Sequence, residues 1–215
     1  PTTRSKLAAT WFTARTPTSR LRVNLRSSFP SLADEQTPLI WDPAWRLVLA
    51  SASPQRSEIL SELGIEFEVR PTAVEERASG DPLEVALANA VAKAEAGRQA
   101  LSDVERSESV VLAADTVVAL GGKIYGKPAD AAQARQYLTE LASGEHEVIG
   151  GIALIGVDGV LLTAIARTEV EFKPLSTEQI DAQIALGEWQ DRAGGYAFQL
   201  SGDQMVARIG ADRLN

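Results

Sequence analysis

The stretch LVLASASPQRSEIL, residues 47–60, narrows the choice of fold more than any other. An apolar run at 46–50, suited to a buried strand, discharges into Ser51, Ala52 and Ser53, and Pro54 then opens a helix. Ser53 is placed to cap that helix, Ile59, Leu60 and Leu63 supply its buried stripe, and Gly64 stops it. A strand passing into a helix through small residues brings unpaired N–H groups, and the positive end of the helix dipole, to the strand's end. Such a turn can receive a phosphate. Arg56, in the first helical turn, is then either a clamp on that anion or a solvated cation on a capped helix.

The remaining pattern mixes such units with hairpins. Residues 67–70 read as a second strand, and Asp81-Pro82-Leu83-Glu84 forms a capping box that opens an Ala-rich helix to about Ala100. Residues 109–120 are strand-like, Gly121-Gly122 turns the chain, and Asp130 caps a helix with Tyr137, Leu138 and Leu141 facing inward. Strands at 146–157 and 160–172 flank the hairpin signal Asp158-Gly159. Ser176-Thr177-Glu178-Gln179 caps a last helix that ends near Gly187, and 196–200 and 204–209 read as closing strands. This order predicts an α/β (mixed α+β) domain built on a mixed sheet.

Residues 1–44 are rich in Ser, Thr, Arg and Pro without a sustained period, and read as a disordered or loosely packed leader ahead of a domain at 45–215. Their composition is that of a transit peptide; since the only Met is Met205, translated upstream sequence is the plainer account. Of 21 basic and 29 acidic residues, six basic and no acidic ones lie in 1–33, which leaves 15 against 29 in the other 182. That acidic balance argues against a nucleic-acid partner. No window approaches the roughly 20 apolar residues of a membrane span, and with no Cys there is neither disulfide nor thiolate metal site.

An acidic chain that handles an anion must gather its few cations locally or use a divalent metal. Asp115, within the apolar LAADT, needs a partner, a metal or a rim position, because burying it uncompensated costs several kcal/mol. It is thus a metal ligand, a general base or a strand-end turn residue. Lys127 lies between Gly126 and Pro128, rigid enough to meet a phosphate or simply solvated in a turn. Lys93 interrupts the Ala-rich helix and Glu76 follows a strand. The lone His146, with no second His, cannot form a conventional His-based metal site and reads as structural.

In order and spacing these segments resemble the Maf family of nucleoside triphosphate pyrophosphatases. LASASPQRSEIL is similar to its opening S-x-S-P-R-R signature; VEE ending at Glu76, Lys93-Ala94, ADTVV at Asp115, GKP at Lys127, SGEHEV around His146 and GEWQDRAGGYAFQ ending at Gln199 are similar to later ones. The resemblance covers the chain from about Arg46 onward. It implies a Maf/inosine-triphosphatase-like fold, a long mixed sheet bent around a central cleft. The implied reaction is hydrolysis of a nucleoside triphosphate to monophosphate and pyrophosphate, as house-cleaning by a cytoplasmic, often homodimeric enzyme with a divalent metal cofactor, Mg or Mn. Carried over, Asp115 is the catalytic proton acceptor, Glu76 and Asp115 hold the metal, and Ser53, Arg56, Lys93 and Lys127 bind the triphosphate.

Base choice is implied at Gln55, Thr116 and Gln199. Thr116 and Gln199 resemble the branch that acts on dTTP and UTP, whereas Gln55 departs from the Arg usual there. Other departures are Asn89 in a usually apolar place, Gly150 for Thr, Trp189 for Pro and Leu200 for Gly. The family continues past the equivalent of Asn215 into a further segment, so a missing C-terminal piece is expected. Two other readings share these residues: a nucleotide-binding regulator of cell division or septum formation, and a nucleotidyltransferase. The ADT and GKP segments, and a turn that is not glycine-rich, favour the pyrophosphatase over the latter.

Overall fold

The computed structural model describes residues 42, 44–198 and 200–210. The leader, apart from Asp42 and Ala44, and the base-pocket candidate Gln199 lie outside them.

Twelve consecutive, mostly buried residues form the spine of the domain, β3 (Ser109–Leu120). Along one edge it pairs antiparallel with β5 (Glu145–Ile155), which in turn pairs with β6 (Leu161–Phe172), and β6 with the short β7 (Val206–Ile209). Along its other edge β3 pairs parallel with β1 (Arg46–Leu49), and β1 with the two-residue β2 (Glu68–Val69). A final strand, β4 (Lys123–Tyr125), folds back on the end of β3 through Gly121 and Gly122, both at positive φ as this tight turn requires. The sheet is therefore mixed, with order β2-β1-β3-β5-β6-β7 and β4 beside β3, the class that the sequence predicts.

Among the described residues five α-helices accompany the sheet: α1 (Pro54–Glu62), α2 (Pro82–Gln99), α3 (Asp103–Glu108), α4 (Ala131–Leu141) and α5 (Thr177–Ala185). Asp81 caps α2 by accepting from the N–H groups of Leu83 and Glu84, Pro82 fills the first position where no donor is needed, and the helix then lies along the sheet. Its stripe Ala86, Ala90, Ala94 and Gly97 carries almost no side chain, so Ala90, Ala94 and Gly97 seat closely on Val48, Ala50, Val111, Ala113 and Ala153, and Ala86 packs with Val117, Ala119 and Ile149. The contact is tight enough that a Cβ on Gly151 of β5 would fall 2.4 Å from the carbonyl oxygen of Ala86. A second apolar cluster joins Val118, Tyr125, Leu138, Leu141, Val170, Phe172, Ile180 and Met205 beneath α4 and α5.

Three expectations are corrected. On α1 only Leu60 is buried; Ile59 and Leu63 are 47% and 48% exposed, because among the described residues no strand or other helix packs extensively against this helix. Of the expected strand at 196–200, the described residues 196–198 and 200 are turn or irregular chain and none is strand. Gly194 and Gly195 take positive φ, and the N–H groups of Leu200 and Gly202 both return to the carbonyl of Ala197, which closes the chain on itself. The short elements α3 and β4 were not expected from periodicity, and both are real parts of the fold.

Candidate active site

The two edges of β3 are paired differently, and the site follows from that difference. On one edge β5 accompanies it from Val111 to Ala119. On the other, β1 accompanies residues 109–112 and β4 residues 118–120. Among the described residues no strand pairs with 113–117 on that edge. Asp115 and Thr116 sit in this gap, and side chains from α1, α2 and the loops before and after converge on it.

Asp115 is buried on the α2 side of β3. Lys93, from the middle of α2, places its Nζ 2.6 Å from Asp115 Oδ1 and 2.6 Å from Glu76 Oε1. Asn89, one turn earlier on the same helix, donates from Nδ2 to Asp115 Oδ2 at 3.0 Å. The ammonium thus bridges two carboxylates whose oxygens are no more than about 5 Å apart, close enough to repel strongly if it were removed. Burial pushes the Glu76 carboxyl up, but the Lys93 hydrogen bond and charge, with the further charges of Lys127 and Arg56, outweigh it and hold the group below the ordinary carboxylate value. Burial lowers the Arg56 guanidinium from its ordinary value, opposed by the charges of Asp115 and Glu76.

Arg56 is aimed by two hydroxyls. Its Nη1 donates to Ser51 Oγ at 2.8 Å and its Nη2 to Thr116 Oγ1 at 3.4 Å, so the guanidinium spans from the end of β1 to the open edge of β3. Ser51 also accepts from the Ser53 N–H, which fixes the small-residue turn. Ser53 occupies the N-cap position without capping through its side chain; its hydroxyl donates to Gln55 Oε1 at 3.1 Å. Lys127 follows Gly126, whose carbonyl accepts from the Gly194 N–H at 3.1 Å, tying the loop after β4 to the 193–195 turn.

The structure therefore gathers Arg56, Glu76, Lys93, Asp115, Thr116 and Lys127 into one electrostatic neighbourhood. Ser53 and Gln55 lie on the adjoining turn, paired with each other. Asn89 and Ser51 were not singled out as site residues; a polar side chain four residues before Lys93, on the same helix face, is the signal that points to Asn89. His146 is buried in an aromatic cluster, its Nε2 2.9 Å from the Tyr196 hydroxyl and its ring edge-on to Phe172 and Tyr196, in line with a structural role. Burial pushes its pKa down to about 4.

Among the described residues no three His, Cys, Asp or Glu side chains are grouped to hold a metal by themselves. The pair Glu76 and Asp115 does suit a hard cation that takes one or two carboxylates and completes its shell with phosphate and water. With Arg56, Lys93 and Lys127 alongside, the arrangement can bind a polyphosphate, accept a proton at a carboxylate and stabilise charge on leaving oxygens.

The sequence profile of the Maf-like protein family matches residues 46–215. A dTTP/UTP pyrophosphatase of Anaeromyxobacter dehalogenans is 41% identical over 171 residues, 76% of this chain and 82% of that protein. One of Novosphingobium aromaticivorans is 41% identical over 179 residues, 82% of this chain and 86% of that protein. One of Pyrococcus furiosus is 40% identical over 172 residues, 79% and 87%.

Proposed function

The chain belongs to the Maf-like protein family, and from that premise we propose that it hydrolyses nucleoside triphosphates of the dTTP/UTP type to the monophosphate and pyrophosphate. The observation that carries this reading is Asp115: a buried carboxylate pinned by Lys93 on an unpaired stretch of strand edge, with Glu76, Arg56 and Lys127 around it.

In the proposed reaction Asp115 accepts a proton from a water molecule as the water oxygen bonds to the α-phosphorus. The bond from that phosphorus to the β-bridging oxygen breaks, and pyrophosphate leaves with the bridging oxygen. Arg56, Lys93 and Lys127 hold the triphosphate and meet the charge that builds on the departing oxygens, the main protein contribution to phosphoryl transfer. Glu76 and Asp115 would hold a divalent metal, Mg or Mn, which when bound neutralises phosphate charge. Thr116, Gln55 and Gln199 are the proposed base-reading positions, with a pyrimidine favoured because the similar proteins are named for dTTP and UTP. The proposal includes a cytoplasmic homodimer; no helix among the described residues is long and apolar enough to cross a membrane.

The test is pyrophosphate release from dTTP, UTP, CTP and 7-methyl-GTP with Mg or Mn. Release from dTTP and UTP is expected, and a folded protein inert on all four overturns the reading. Asp115→Asn should lower turnover by at least about 100-fold with the fold retained, and undiminished turnover overturns the assigned base.

A further inference from the structure

Asn89 is 3% exposed and stands on α2 one turn before Lys93. A buried amide without partners costs free energy, so where its bonds go is informative. Its Oδ1 accepts from the Arg77 N–H at 2.8 Å, and its Nδ2 donates to the Arg77 carbonyl at 3.1 Å and to Asp115 Oδ2 at 3.0 Å. The Arg77 N–H can only donate, which settles which end of the amide is oxygen and turns the NH2 group toward Asp115. Three of the four bonds that an Asn side chain can make are used, and every one goes to Asp115 or to the residue after Glu76.

From this we infer that Asn89 is a positioning residue for hydrolysis: it fixes the rotation of the Asp115 carboxylate and the placement of the Glu76 segment against it. The inference rests on the reading of Asp115 as the base. Lys93 holds Oδ1 and Asn89 holds Oδ2, so the carboxylate is gripped at both oxygens and cannot turn about its Cβ–Cγ bond without losing a donor. Each oxygen keeps a second lone pair for a water proton. The same two helix positions, four residues apart, also secure the neighbouring acid, Lys93 through the Glu76 carboxylate and Asn89 through the adjoining peptide. Packing alone does not call for an amide here, since Leu has similar volume. Only the amide supplies a donor to Asp115 together with a donor and an acceptor to Arg77.

The test measures kcat and KM for dTTP with Mg, per folded molecule by circular dichroism, in Asn89→Leu, Asn89→Gln, Asp115→Asn and the double variant Asn89→Leu/Asp115→Asn. Loss of orientation should lower kcat of Asn89→Leu about ten- to hundred-fold, with KM changed by less than about threefold. Asn89→Gln, which keeps the amide, should retain more kcat than Asn89→Leu. In the Asp115→Asn background Asn89→Leu should lower the residual rate no further, because there is no longer a base to position. A native kcat in Asn89→Leu, a Gln variant slower than the Leu variant, or an equal drop in both backgrounds overturns the inference and leaves Asn89 a packing residue. If Asn89→Leu yields no folded protein, Asn89→Ala, which also removes the amide, decides: lower kcat at unchanged KM supports positioning, and native kcat with a lower melting point overturns it. Native turnover in Asp115→Asn is a separate result, which overturns the base assignment itself.

Discussion

Replacing Lys93 by Met is the most revealing perturbation of the site, because it keeps the volume of the side chain and removes one charge from between two others. The ammonium lies 2.6 Å from both Asp115 and Glu76. Without it two carboxylates face each other at about 5 Å, which at an effective dielectric near 20 is a repulsion of about 3 kcal/mol. Glu76 is 41% exposed, so solvent screening removes about half, leaving about 1.5 kcal/mol. The lost hydrogen bond to buried Asp115 adds about 1.5–3 kcal/mol. The sum, about 3–4.5 kcal/mol, matches the usual cost of breaking a buried ion pair from one side.

The pH dependence gives that destabilisation a signature. In the native protein the Glu76 carboxyl is held below its ordinary value, so its contribution is full above the unfolded carboxylate range and is lost as pH falls through the depressed value. In Lys93→Met the repelling pair holds a proton more tightly folded than unfolded, so the variant loses stability as pH rises through the carboxylate range. The difference between the two proteins should be widest near pH 8 and shrink toward about pH 4.5. Urea unfolding followed by circular dichroism at both pH values measures it. A difference independent of pH, or a variant as stable as the native protein near pH 8, would refute the bridging role assigned to Lys93.

Gly151→Ala should destabilise the domain by about 1–3 kcal/mol, since a methyl there meets backbone that cannot give way as a side chain could. Thermal unfolding should show a drop of about 2–12 °C, and an unchanged midpoint contradicts the close seating of α2. The single histidine of the chain gives one imidazole resonance, and its titration by NMR should show a midpoint near pH 4, well below the ordinary value. A base whose folded pKa is lowered makes the protein less stable as pH falls from about 6.5 to 4, by up to about 3 kcal/mol. His146→Phe should therefore flatten the acid limb of stability, and an unaltered limb counts against the burial argument.

Much of this architecture can be read from the sequence where local chemistry and tertiary packing agree. β3 begins and ends at the predicted residues because a strand-like segment, apolar but for Ser109, Asp115 and Thr116, is closed by Gly121-Gly122, and α2 and α5 start where Asp81 and Ser176 cap them. α3, DVERSE, has no apolar period and is invisible to that test; its signal is the reciprocal cap between Ser102 and Glu105. Residues 196–200, YAFQL, carry the aromatic and apolar residues common in strands, but the glycines before them turn the chain and Tyr196 is drawn into the aromatic cluster around His146. At the site, Asp115 and Lys93 stand out because charges in apolar elements demand partners. Asn89 obeys the same rule more quietly: an uncharged amide on a helix gives no hint of its partners until the loop at Arg77 is placed beside it.

The gap along β3 also bears on how this protein avoids edge-to-edge strand pairing with other chains. By strand alternation from Leu112, whose carbonyl accepts from Ala50, the backbone groups of Ala114 and Thr116 face the gap. An unpaired strand edge ordinarily templates pairing with another chain. Here the opening is five residues long, closed at one end by β1 and at the other by β4, and guarded by the charges of Arg56, Lys93 and Asp115. A foreign strand finds no length to zip along, so the break in the sheet turns a polypeptide away; under the proposed function, a compact anion would find its partners there.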